Sequence, residues 1–115
     1  MYNVASLDSS NFLQMADGSK TNELRQCQQP DLELESVVPG EPILFLDMQS
    51  ERALLSRVLS VRRIAVSGPK SKGFLIYVIR ISQNRRLIEL PMTRMPGWCR
   101  LSRKDLAPFL KGVAA

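Results

Sequence analysis

The side chains able to do chemistry in this chain are mostly guanidinium groups. Its 115 residues carry 16 Lys and Arg against 11 Asp and Glu, and no histidine. Arginine outnumbers lysine, and its planar fork grips phosphate and carboxylate oxygens two at a time. The missing histidine removes the usual acid/base group at neutral pH and the commonest metal ligand. Ser-His and Cys-His nucleophile schemes are therefore excluded. Cys27 and Cys99 are far apart, form no C-x-x-C unit and have no histidine with which to hold zinc. Ser67-Gly68-Pro69-Lys70-Ser71-Lys72-Gly73 carries lysines between glycines but lacks the spacing of a phosphate-cradling loop. The acidic pairs Glu33/Glu35 and Asp47/Glu51 read as solvated surface rather than metal ligands. The expectation is a non-enzymatic protein with no cofactor and no metal.

Charge is distributed unevenly along the chain. Residues 1–50 hold two cations, Lys20 and Arg25, against eight carboxylates, a balance of −6. Residues 51–115 hold fourteen cations against three carboxylates, a balance of +11, which together give the net +5. Such asymmetry points to a polyanion partner or an acidic interaction segment. No apolar run approaches the roughly 20 residues a bilayer-crossing helix requires. The N-terminus lacks the cationic start and apolar stretch of a signal peptide. A cytoplasmic protein without membrane contact is expected.

The elements that must position these charges centre on residues 61–92. This stretch reads as a three-strand meander whose turns hold Lys70 and Lys72, then Arg85 and Arg86. Phe74 to Ile81 alternates with Leu75, Tyr77, Ile79 and Ile81 on one face, and it is apolar enough on both faces for a central strand. Ile43 to Leu46 is a short core strand. Asp31 to Glu35 alternates acidic and apolar residues and reads as an edge strand. Residues 49–60 are rich in helix formers, with Leu54, Leu55, Val58 and Leu59 on one helical face, so a helix is preferred there. The competing reading is a long strand through Val66. Ser102 and Asp105 have capping-box spacing, and short helical turns follow near 102–107 and 108–111.

The fold class that results is α+β. It has a small antiparallel sheet of about four to five strands, one helix after the first core strand and short C-terminal helical turns. The alternative is a small β-barrel. Residues 1–30 are read as a poorly ordered acidic arm and 31–115 as a single globular domain.

The nucleic-acid-binding set read from the sequence is Arg62, Arg63, Lys70, Lys72, Arg85, Arg86 and Arg94, with Trp98 as a stacking residue. If about six phosphates are contacted, affinity falls roughly a thousandfold between 50 and 200 mM salt. The acidic arm has three readings: a plain disordered tail, a clamp that folds across this surface and competes with nucleic acid, or an interaction segment for a second protein. The alternative is an adaptor or inhibitor docking on a partner protein, for instance an acidic surface, through the basic face or the acidic arm.

Overall fold

The protein is seen in a computed structural model that describes residues 1–69, 71–90 and 97–110. Ten elements follow one another: β1 (Tyr2–Leu7), α1 (Ser9–Asp17), β2 (Asn22–Cys27), α2 (Leu32–Glu35), β3 (Pro42–Asp47), β4 (Arg52–Gly68), β5 (Ser71–Ile81), β6 (Arg86–Glu89), β7 (Trp98–Leu101) and α3 (Arg103–Leu106). The strands form one open sheet in the order β2-β5-β4-β3-β1-β7, with β6 also paired to β4. β1 runs parallel to β3, and every other pairing is antiparallel. A mixed sheet of seven strands that does not close replaces both the smaller α+β sheet and the barrel expected from the sequence.

The decisive element is β4. It was expected to be helical over residues 49–60, yet it is a strand of 17 residues. Its adjacent leucines point to opposite sides of the sheet, and both sides are covered. Leu54 belongs to one core, with Phe12, Met15, Phe45, Tyr77 and Trp98. Leu55 packs against the other, with Val4, Leu44, Ala53, Ile88 and Leu106. A strand buried on both faces loses its alternation and mimics an amphipathic helix. The first core lies under α1 and the second under α3, so the two sides are called here the α1 face and the α3 face.

Residues 1–30 are not an arm. Asn3, Val4 and Ala5 are fully buried, and β1 lies inside the sheet between β3 and β7. α1 starts on Asp8, whose side chain accepts from the Asn11 amide at 2.8 Å, and stops at Gly18 with φ 84°. Its Phe12 and Met15, three apart, are fully buried. The edge strand read at Asp31 to Glu35 is a single helical turn capped by Asp31, which accepts from the Leu34 amide at 3.0 Å. Only Leu34 of that turn is buried, while Leu32 is 83 % exposed.

The expected three-strand meander is also rearranged. β5 pairs with β4 from Val58 to Gly68, whereas β6 pairs with the start of β4 from Arg52 to Leu55. The two share one edge of β4, separated by an irregular break at residues 82–85, and β3 takes the other edge. The Ser56 hydroxyl holds the break by donating to the carbonyls of Ser82 at 3.0 Å and Asn84 at 3.3 Å. The far half of β4 continues with β5 and β2 as a three-strand arm, and the molecule measures 52 × 29 × 24 Å.

Candidate nucleic-acid interface

Strand register assigns each cation to a face. On the α1 face lie Arg52, opposite Glu89, Arg63 and Arg25, both opposite Tyr77, and Arg100, opposite Asn3. Each of these is tied to a carboxylate. Arg52 Nη2 is 3.1 Å from Asp47 Oδ2, Arg25 Nη2 is 3.5 Å from Glu23 Oε2, Arg63 pairs with Glu35, and Arg100 pairs with Glu41. Lys20 adds a second cation on Glu23 at 3.2 Å. Four of the eight carboxylates in residues 1–50, Glu23, Glu35, Glu41 and Asp47, are thus paired with the fold's own arginines.

The α3 face is different. Arg57 is paired with Pro42, Arg86 with Leu55, Arg80 with Ser60 and Arg62 with Val78. A bulge at Leu59 inserts one residue between Val58 and Ser60, and the alternation resumes beyond it. Arg57 donates to the Gly40 carbonyl at 2.9 Å. Arg62, Arg80 and Arg86 have no hydrogen bond or ion pair with any described residue, and all are exposed. α3, packed on the same side through Leu106, carries Arg103, Lys104 and Asp105, and its Arg103 borders the sheet beside Arg57 and Arg86. Among the described strand residues, none on the α3 face is acidic. A row of guanidinium groups that no ion pair among the described residues neutralises holds an attractive field for polyanions.

Of the residues singled out in the sequence, Arg62 and Arg86 fall in this row. Lys72 is exposed near the outer end of β5. Arg63 is held by Glu35. Arg85 turns inward and donates to the carbonyls of Met15, Lys20 at 2.8 Å and Ser82 at 2.8 Å. Burial lowers its pKa from the usual arginine range. Trp98 is 6 % exposed and cannot stack on a base. Its Nε1 donates to Asn3 Oδ1 at 3.1 Å, its ring meets Phe45 edge-on at 6.4 Å, and the Arg25 guanidinium sits 5.8 Å from its centroid. Lys70 and Arg94 lie outside the described residues. Arg57, Arg80 and Arg103 were missing from the set; strand parity along β4 and β5 is the signal that finds the first two.

Two polar clusters organise the α1 face. Glu23, 5 % exposed, is clamped by Lys20 and Arg25, which themselves bond Asn11 Oδ1 at 3.1 Å and the Ser6 carbonyl at 3.2 Å. Glu23 Oε2 and Arg25 Nε are buried without a hydrogen-bond partner among the described residues. The second cluster docks α2 on the arm. The Tyr77 hydroxyl donates to Glu35 Oε1 at 2.8 Å and accepts from the Asp31 amide at 3.2 Å. The Tyr77 hydrogen bond, with Arg63, holds the Glu35 carboxyl below its ordinary range. Neither cluster places a nucleophile beside a base, and among the described residues no group of three or more His, Cys, Asp or Glu could hold a metal ion.

No family model and no curated protein matches the sequence. The fold is similar to the crystal structure of a mutant form of ZmASCH from Zymomonas mobilis, with a TM-score of 0.64 over 96 % of this chain and 97 % of that one. The two sequences are 11 % identical, so the likeness is one of fold. Among the described residues, no helix is long and apolar enough to cross a membrane.

Proposed function

We propose that this is a non-enzymatic, cytoplasmic nucleic-acid-binding protein that docks phosphate groups along its α3 face. The observation that supports this is the sorting of arginines. Those on the α1 face are neutralised by the chain's own carboxylates, and those on the α3 face are not. The contact residues are Arg57, Arg62, Arg80, Arg86 and Arg103, with Lys72 at the end of the arm. Trp98 takes no part. Binding is electrostatic, so it depends on salt through the counterions that the phosphates release.

The test is fluorescence anisotropy with a single-stranded RNA across a potassium chloride series. Six phosphate contacts give a slope of log K against log salt of about −4 for a single strand. A flat plot removes the proposal. The same face exposes Leu24 (59 %) and Ile64 (36 %) between the arginines, which suits an acidic protein partner as a second reading. A partner retained in pull-downs after nuclease treatment, together with a flat salt plot, favours that reading.

A further inference from the structure

We propose that the α3 face contains a defined pocket for one nucleoside monophosphate, either free or at the end of a nucleic-acid chain. This rests on the reading of that face as a phosphate-binding surface, and it adds a specific subsite. A cleft of about 380 Å³ opens between α3 and the sheet, where β5 breaks off and β6 begins. That volume falls within the range of small-ligand sites.

Its walls are of two kinds. Arg57 from β4, Arg86 from β6 and Arg103 from α3 bring three guanidinium groups from three separate elements. No carboxylate lines the cleft. Tyr2, half-buried at the start of β1, and Leu55, half-buried on β4, line it with apolar surface. A phosphate monoester alone would leave that apolar surface unused, and an uncharged aromatic would leave the arginines unused. A nucleoside monophosphate satisfies both, since its base has an apolar face and its phosphate accepts bidentate arginine bonds.

The cleft is held in shape from outside. The Arg57 guanidinium is steadied by the Gly40 carbonyl at 2.9 Å, and Ser56 fixes the break that forms one wall. α3 is set by its Ser102 cap, which accepts from the Asp105 amide at 3.2 Å, and by fully buried Leu106. Asn84 is another residue of the wall, and its side-chain amide has no hydrogen-bond partner among the described residues.

The experiment measures binding of single-stranded RNA carrying either a terminal phosphate or a terminal hydroxyl, and of adenosine monophosphate alone, to the full chain and to Arg86→Ala and Arg103→Ala. Both arginines are exposed, so thermal midpoints serve as fold controls. A terminal phosphate is expected to tighten RNA binding about tenfold, and each variant to abolish that gain. Adenosine monophosphate that binds without any end effect assigns the pocket to free nucleotides; an end effect without mononucleotide binding assigns it to chain ends. RNA binding with a steep salt slope, but with no end effect and no mononucleotide binding, overturns the pocket and leaves the face intact. Mononucleotide binding without RNA binding sustains the pocket and overturns the function proposed above.

Discussion

Arg62 and Arg63 are consecutive on β4 and face opposite sides of the sheet. Arg63 lies opposite Tyr77 and pairs with Glu35, while Arg62 lies opposite Val78 and meets no described partner. One residue step thus separates a structural arginine from one with its charge unspent. Arg63→Ala should lower the thermal midpoint slightly and leave RNA affinity unchanged, because the pair it breaks is largely exposed. Arg62→Ala should weaken RNA binding about threefold to tenfold at low salt and leave the midpoint alone. Paired melting curves and anisotropy titrations separate the two.

Glu23 is a buried carboxylate shared by Lys20 and Arg25. Replacing it with alanine strands two partly buried cations, a change that typically costs about 3–5 kcal/mol. Urea denaturation of Glu23→Ala should show a midpoint lowered accordingly. A loss below about 1 kcal/mol would mean that water already screens the cluster.

Leu54 and Leu55 test the two-core description. Leu54 is 2 % exposed, and Leu54→Ala should cost about 2–5 kcal/mol. Leu55 is half-buried on the other face, and its truncation should cost less, about 1–2 kcal/mol. Helical geometry would put both on one side and make the penalties similar. Denaturant melts of the two single variants decide the matter.

This segment also shows what could be read from the sequence and what could not. The alternation of Leu75, Tyr77, Ile79 and Ile81 was legible because β5 buries one face more deeply than the other. β4 was not, since burial on both sides erases the period that distinguishes strand from helix. β1 was hidden because Asn3 and Ser6 interrupt its apolar residues, although Asn3 is fully buried and donates to Glu41 Oε1 at 3.3 Å and the Pro42 carbonyl at 3.2 Å. The excess of arginine was plain, but its division between faces requires the register. Arg85 and Trp98 looked like surface residues and prove to be internal braces, because sequence spacing alone does not reveal which carbonyls or side chains lie within reach.

Tyr77 sets an alkaline limit on stability. Burial raises its pKa above the usual 10.0, and the hydrogen bond to Glu35 raises it further. The neutral phenol is favoured in the folded state. The stability it contributes is therefore full below the unfolded value and is lost as pH rises through the higher folded value. Denaturation midpoints should fall at pH values above about 10 in the natural protein. Tyr77→Phe should lack that inflection and lose about 1 kcal/mol at neutral pH.

The central claim is that unpaired arginines on one face of the sheet form the docking surface. Charge reversal on that face tests it most directly: Arg62→Glu with Arg80→Glu, compared with Arg63→Glu alone, in salt-dependent RNA binding. The prediction is that the double variant loses about two contacts, moving the slope of log K against log salt toward zero by at least about 1.4, while Arg63→Glu leaves it within error. Equal slopes for the double variant and the natural protein would contradict the account.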